Sequence, residues 1–178
     1  MQSPAPRRVA IMGAPGAGKS SLIDALGRRG WRVMPETARA ILREPGGMEL
    51  RARDPVGFAF AMLEGQRAAF HAVDPGETAV FDRGLCDIAA FLRIEGRDVP
   101  AEIDRACNNL RFDAPVLHAP AWQGIYRPDS ERIQSWDEAV ESDRHSLRAW
   151  RDYGYEPVGL PLLPVEERAD WVERLLRA

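Results

Sequence analysis

Residues 13–20 read Gly13-Ala14-Pro15-Gly16-Ala17-Gly18-Lys19-Ser20 and match the pattern GxxxxGK[ST] at every fixed position. The flanking sequence suits this pattern, because residues 8–12 form a short apolar run typical of a buried strand and residues 20–26 have the composition of a helix start. Glycines in such a loop let backbone N–H groups surround phosphate oxygens, and the helix N-terminus adds partial positive charge. The stretch therefore predicts a phosphate-binding loop (P-loop) between a strand and a helix.

Lys19 is the only lysine of the chain, although lysine and arginine together number 24. Its compact ammonium can reach the β- and γ-phosphates of a nucleotide, where a planar guanidinium would fit less well. We expect Lys19 to be a surface charge and Ser20 to ligate Mg²⁺, so that ATP and Mg²⁺ are the predicted cofactors. The predicted nucleotide-binding residues are Gly13, Ala14, Pro15, Gly16, Ala17, Gly18, Lys19, Ser20 and Ser21.

The remainder of the chain alternates between strand and helix patterns, which indicates a parallel sheet covered on both faces. We predict strands over residues 8–12, 31–34, 78–81, 115–118 and 157–160. Further helices are predicted over residues 36–43, 55–72, 86–94, 101–110, 135–153 and 165–177. The fold class expected is α/β, a single three-layer P-loop NTPase domain over residues 1–178.

Composition excludes several classes of function. The longest apolar run, residues 58–63, is far shorter than the ~20 residues that span a bilayer, so no membrane association is expected. A net charge of −3 argues against nucleic acid as the partner. Cys86 and Cys107 lack the spacing of a zinc site or a disulfide framework, and no export signal is recognised. We therefore expect a cytoplasmic protein.

A second candidate site follows the third predicted strand, in the sequence Phe81-Asp82-Arg83-Gly84. An aspartate that ends an apolar strand beside a P-loop is typical of a carboxylate that holds Mg²⁺ through water. Motor ATPases usually place a water-activating glutamate next, where this chain has Arg83. A guanine-specific Asn-Lys-x-Asp element is excluded, because the single lysine lies in the P-loop. The alternative is that Asp82 and Arg83 form a salt-bridged surface pair.

These motifs together resemble a family of predicted P-loop ATPases of AAA type. That family is related to the nicotinamide-riboside kinase domain and, more remotely, to deoxynucleoside and thymidylate kinases. The resemblance is carried by residues 13–20, 33–39, 81–87, 125–132, 153–155 and 165–168. It implies ATP binding and a kinase-like fold. The strand order expected for the kinase-like branch is 2-3-1-4-5, with the strand of residues 78–81 directly beside that of residues 8–12. In such kinases the Asp-Arg pair meets the reacting phosphates and the acceptor. The resemblance does not identify the acceptor substrate.

The resemblance also suggests roles for residues outside the P-loop. In related nucleoside kinases, a carboxylate at the position of Glu36 takes the proton of the attacking hydroxyl, although a glutamate here also suits a helix N-terminus. The segment 119–135 is long enough to be a lid, and in such kinases a lid brings arginines over the transferring phosphate. Arg127 and Arg132 are the candidates. The alternative is a solvated loop in which they pair with acidic neighbours.

For each of two further residues, the sequence allows two different roles. Gln66 lies on an apolar helix stripe with Phe58 and Met62, and it either belongs to the core or hydrogen-bonds a planar ring of the acceptor. Trp122, near the start of the lid segment, either stacks on a base or packs the hinge.

We therefore predict an ATP- and Mg²⁺-dependent phosphotransferase that acts on a hydroxyl of a small molecule, for example a nucleoside. One alternative is a slow ATPase that works as a nucleotide-dependent switch or binding module. A kinase-like toxin that acts on a macromolecule is a third. The predicted metal ligands are Ser20 and Asp82, and the predicted catalytic residues are Lys19, Glu36, Asp82, Arg83, Arg127 and Arg132.

Overall fold

The computed structural model describes residues 5–126 and 135–177, and its centre is a five-stranded parallel sheet in the order β2-β3-β1-β4-β5. The strands are β1 (Arg7–Gly13), β2 (Arg32–Met34), β3 (Thr78–Asp82), β4 (Leu117–Ala119) and β5 (Val158–Gly159). The helices are α1 (Lys19–Arg28), α2 (Thr37–Arg43), α3 (Gly47–Arg53), α4 (Pro55–His71), α5 (Leu85–Ile94), α6 (Ala101–Asn109), α7 (Trp136–Asp152) and α8 (Val165–Arg177). The predicted strand order is confirmed.

The alternation of side chains along β1 explains why helices cover both faces of the sheet. Ala10 and Met12 point into one apolar core, which they share with α4, α5, α6 and α7. Val9 and Ile11 point into the other core, which they share with α1 and α8. Because successive strand residues face opposite sides, a central strand buried on both faces reads as a continuous apolar run.

β1 is the strand that places the P-loop at the middle of the sheet. It pairs with β3 from Arg7 opposite Thr78 to Ile11 opposite Asp82, and with β4 from Ile11 opposite Leu117. The carboxyl ends of β1 and β3 therefore lie side by side. This places Asp82 next to the phosphate-binding loop, where open α/β sheets bind their ligands.

The starts of α4 and α7 follow local signals in the sequence. The side chain of Asp54 accepts a hydrogen bond from the Gly57 N–H at 2.8 Å, with Pro55 at the first helical position of α4. Ser135 and Glu138 form a reciprocal capping box at the start of α7, as their spacing predicts.

Most elements match their predicted bounds to within one residue at each end, and two differ more. Helix α3 was not predicted, and it begins so close to α2 that a Cβ on Gly47 would lie 1.9 Å from the Ile41 carbonyl oxygen. Strand β4 begins at Leu117 rather than at residue 115, where proline has no N–H to donate to a sheet. Strand β5 is an exposed edge strand of only two residues. In the described part of the chain, no helix combines the length and apolarity needed to cross a membrane.

Candidate functional site

The P-loop has the backbone that its glycines permit. Gly13, Gly16 and Gly18 have φ angles of 128°, 72° and 73°, which side chains with a Cβ rarely adopt. A Cβ on Gly13 would also lie 2.1 Å from the Ala119 carbonyl oxygen, because β4 approaches closely here. The same carbonyl accepts a hydrogen bond from the Ala14 N–H at 3.0 Å. The loop therefore turns tightly from β1 and delivers Gly18 as the N-cap of α1.

Lys19 is buried, with 5% of its surface exposed, so the expectation of a surface charge is wrong. The reason is that its ammonium folds back over the loop and donates to the carbonyl oxygens of Gly13 at 3.1 Å and Ala14 at 2.5 Å. Burial, with the nearby positive charge of Arg83, lowers the pKa of Lys19 to about 8. Asp82 and Glu36 oppose this shift without reversing it.

The lowered pKa of Lys19 predicts that nucleotide affinity depends on pH. Bound phosphates favour the protonated ammonium, so binding should raise this pKa and take up a proton wherever the free lysine is partly deprotonated. The affinity for Mg²⁺-ATP should thus be constant below about pH 7 and fall as the pH rises through about 8. Calorimetry at pH 7 to 9, in buffers of different ionisation enthalpy, measures both effects. An affinity that stays flat across this range would contradict the shift.

Ser20 and Asp82 form a pair of hard oxygen donors beside the P-loop. The Ser20 hydroxyl donates to Asp82 Oδ2 at 3.0 Å, and Asp82 is only 2% exposed. Burial raises the pKa of Asp82, with Glu36 adding to the effect and Lys19 opposing it. Its second oxygen, Oδ1, is buried without a hydrogen-bond partner in the described structure.

This pair fits a magnesium ion. Mg²⁺ prefers oxygen ligands, keeps several waters and is commonly held by few protein groups together with substrate phosphates. The unpartnered Asp82 Oδ1 supplies an acceptor for a metal-bound water. No cluster of three or more His, Cys, Asp or Glu side chains that could hold a metal occurs within residues 5–126 and 135–177. In a nucleotide complex, water and phosphate oxygens would supply the remaining ligands.

Arg83 links the P-loop to Glu36 and has a strained backbone. Its φ of 70° is the only positive value at a non-glycine residue in the described ranges, and its N–H donates to the Ile11 carbonyl at 2.9 Å. Its guanidinium donates to Glu36 Oε1 at 3.0 Å and to the Gly13 carbonyl at 3.1 Å. Residues held in this region cost of order 1–3 kcal/mol and cluster at active sites.

Glu36 faces the site rather than its own helix. It occupies the N-cap position of α2, but its side chain makes no capping hydrogen bond there. Instead it pairs with Arg83 at 3.0 Å and with Arg39 at 3.9 Å. Burial raises the pKa of Glu36, but Arg83, Lys19 and Arg39 outweigh it and hold the pKa below its usual value. The structure thus brings an ionised carboxylate to the P-loop.

Asp87 is a residue of this site that the sequence analysis did not identify. Its carboxylate accepts hydrogen bonds from the Gly84 N–H at 3.0 Å, the Ser146 hydroxyl at 2.6 Å and the Trp150 indole at 3.2 Å. Arg83 lies 3.5 Å from it. Asp87 is the third residue of α5, where acidic side chains commonly accept from the N-cap N–H, and this spacing is the signal that could have found it.

A cavity of about 920 Å³ opens from the P-loop and continues past Glu36 and Arg83 to helix α4. Its far end includes Phe58, Met62 and Gln66. Gln66 is 4% exposed, and its Oε1 has no hydrogen-bond partner in the described structure. Gln66 is therefore packed in the core, as one sequence interpretation has it, and it also lines the cavity, while a hydrogen bond to a planar ring of the acceptor stays a prediction.

A second cavity of about 340 Å³ lies beside the same loop. It borders Gly16, Gly18 and Ser20, which also border the larger cavity. Its other walls include Trp122, Ile125, Pro164, Val165 and Arg168. Trp122 thus lines a space next to the P-loop.

The predicted lid segment is described only as far as Tyr126 and again at Ser135. Arg127 and Arg132 lie outside the described residues, so their placement over a phosphate stays a prediction.

The P-loop, the Asp-Arg pair at the end of the neighbouring strand and the order 2-3-1-4-5 define a nucleotide-binding P-loop protein with a kinase-like fold. The family described as AAA domain matches residues 8–168. Since this range is most of the sequence, the chain belongs to that family. No curated protein sequence matches the chain significantly.

Solved structures of two kinds share the fold. Deoxyadenosine kinase from M. mycoides, determined with the products dCMP and dCDP, aligns over 96% of this chain and 98% of its own, with 15% identity and a TM-score of 0.71. The protein NadR in complex with NAD and AMP-PNP aligns over 97% of this chain and 50% of its own, with 18% identity and a TM-score of 0.63. Identities this low show a common fold.

Proposed function

We propose that this protein is an ATP- and Mg²⁺-dependent phosphotransferase that phosphorylates a hydroxyl of a small molecule carrying a planar, hydrogen-bonding ring, such as a nucleoside. The observation that carries the proposal is the larger cavity. It leads from the P-loop past the Glu36–Arg83 pair to the buried, unpartnered Oε1 of Gln66. A deoxyadenosine kinase and the nucleotide-bound NadR share the fold, which supports the same class of reaction.

The nucleotide would lie across both cavities. Its phosphates would occupy the P-loop. There the Lys19 ammonium would exchange its hydrogen bonds to the carbonyls of Gly13 and Ala14 for hydrogen bonds to phosphate oxygens. Ser20 and Asp82 would hold Mg²⁺, which supplies positive charge for the phosphate oxygens. Because the two cavities meet at the loop, the base can enter the one beside Trp122 while the terminal phosphate faces the other.

The acceptor would lie in the larger cavity with its hydroxyl towards Glu36. Its oxygen forms a bond to the γ-phosphorus, the bond from that phosphorus to the β–γ bridging oxygen breaks, and ADP leaves. The hydroxyl proton passes to Glu36. Since Arg83 keeps Glu36 ionised but weakly basic, the carboxylate acts mainly by orienting the hydroxyl, which suits the loose transition state of phosphoryl transfer. We propose that Arg127 and Arg132 cover the transferring phosphate.

ADP production by the wild-type protein with Mg²⁺-ATP tests this function. The assay covers a library of nucleosides, cofactor precursors and sugars, with product phosphorylation confirmed by mass spectrometry. We expect at least one planar-ring compound to stimulate ADP release and to be phosphorylated. Slow ADP release that no compound stimulates would instead favour the nucleotide-dependent switch.

Gln66→Leu tests the far end of the cavity. The change removes a buried carbonyl that lacks a partner, so we expect the free energy of unfolding to rise by about 1 kcal/mol. The acceptor loses a hydrogen bond, so its KM should rise by roughly tenfold while the KM for ATP stays unchanged. Steady-state kinetics and denaturant unfolding measure the two effects. An unchanged acceptor KM would assign Gln66 to the core alone.

A further inference from the structure

Arg168 of α8 is a buried arginine that contacts the P-loop from outside the site described above. It is 4% exposed. One guanidinium nitrogen donates to the Ala17 carbonyl oxygen at 2.9 Å and the other to that of Gly18 at 3.3 Å, while Nε is buried without a partner. Within residues 5–126 and 135–177, no carboxylate pairs with it.

The surroundings of Arg168 differ from those of the other cations beside the P-loop. Lys19 and Arg83 are each surrounded by the carboxylates of Glu36, Asp82 and Asp87. Among the residues that the structure describes, the hydrogen-bond partners of Arg168 are carbonyl oxygens, and burial lowers its pKa without an opposing acid. A buried charge without a counter-charge destabilises the fold. An anion bound in the adjacent loop would offset this destabilisation.

The two carbonyls that Arg168 contacts belong to the peptide groups that carry the N–H groups of Gly18 and Lys19. These N–H groups stand at the start of α1, where no preceding helical carbonyl is available to them. A positive charge on a peptide oxygen polarises the peptide and makes its N–H a stronger donor. Arg168 therefore acts on the donors that a helix N-terminus offers to phosphate.

The position of Arg168 is fixed by contacts between α8 and α1. Arg29, at the end of α1, pairs with three carboxylates of α8 at 2.6–2.8 Å, and these belong to Glu166, Asp170 and Glu173. The fit at the loop is also close, because a Cβ on Gly18 would lie 2.5 Å from the guanidinium of Arg168.

We propose that Arg168 is a positioning residue for the nucleotide phosphates, acting as a fixed positive charge behind the P-loop that strengthens its N–H donors. The inference rests on the nucleotide-binding half of the proposed function and is independent of the acceptor. In the competing explanation, Arg168 contacts the base of the nucleotide. Arg168 also lines the second cavity, and its guanidinium lies 6.0 Å from the Trp122 ring.

Calorimetry with two ligands separates these roles, since Mg²⁺-ATP carries a base and inorganic tripolyphosphate does not. For Arg168→Gln we expect the affinity for both ligands to fall by a similar factor, about tenfold or more. The melting temperature of the ligand-free variant should not fall, because an uncompensated charge has been removed. Arg168→Lys, which keeps the charge, should recover part of the affinity. Arg174→Gln, an exposed arginine of the same helix, is the matched control.

Several outcomes would overturn the inference. Loss of affinity for ATP alone would assign Arg168 to the base, and unchanged affinity for both ligands would leave it no role in binding. A melting temperature that falls together with affinity in both Arg168→Gln and Arg168→Lys would make it a purely structural contact. Failure of the wild-type protein to bind either ligand would refute the proposed function itself, and this inference with it.

Discussion

Lys19→Ala is expected to abolish measurable ATP binding while the protein stays folded. The ammonium is the charge that the P-loop pattern assigns to the β- and γ-phosphates, and the structure has no other lysine to replace it. The variant loses two hydrogen bonds to loop carbonyls but also the cost of burying an amine, so the free energy of unfolding should change by only about 1 kcal/mol. Calorimetry with Mg²⁺-ATP, with circular dichroism to verify folding, measures the result.

Lys19→Arg is the informative control for charge. Every other lysine-or-arginine position of the chain is an arginine. The single lysine in the P-loop therefore indicates that arginine does not serve at this position. We expect this variant to bind ATP weakly as well, because a planar guanidinium cannot take the place of the compact ammonium among the loop carbonyls. Unchanged affinity in folded Lys19→Ala would remove the assignment of the P-loop as the nucleotide site.

The features that could be predicted from sequence are those encoded locally. The P-loop needs eight consecutive residues, and the cap of α4 and the capping box of α7 need only residues within a few positions of one another. The sheet order follows from the class that the P-loop and the Asp82–Arg83 pair indicate. Such signals can be recognised in the sequence without knowledge of the tertiary structure.

The features that were missed either depend on how the chain packs or lack a clear local signal. Lys19 was expected at the surface, and the folded loop shows that its ammonium turns back onto carbonyls only five and six residues away. The capping position of Asp87 is local, but its contacts with Ser146 and Trp150 exist only where α7 packs against it. Arg168 reaches the P-loop across about 150 residues of sequence. Helix α3 lacked a recognisable cap, since its N-cap is Gly46 and no side chain caps it.

Glu36→Gln is expected to lower acceptor-dependent turnover by about a hundredfold and to leave the affinity for ATP nearly unchanged. The amide cannot take the hydroxyl proton and orients the acceptor less well, whereas it is not expected to contact the nucleotide phosphates. Arg83 keeps Asp87 and Asp82 as neighbouring negative charges, so the variant should fold, with some loss of stability from the broken ion pair. Glu49→Gln, at an exposed position outside the cavity, is the matched control.

The pH profile makes this prediction specific to the ionised carboxylate. Because Arg83 and its neighbours hold the pKa of Glu36 below its usual value, wild-type turnover should be unaffected by this group near neutral pH and decline only in acid, once Glu36 becomes protonated. Glu36→Gln should lose that decline in acid, whereas the fall of ATP affinity expected from Lys19 near pH 8 should remain. If turnover is undiminished in Glu36→Gln, the assignment of phosphotransferase activity stands, but Glu36 is not the base. A hundredfold loss accompanied by an equal loss of ATP affinity would show instead that Glu36 serves the nucleotide side of the site.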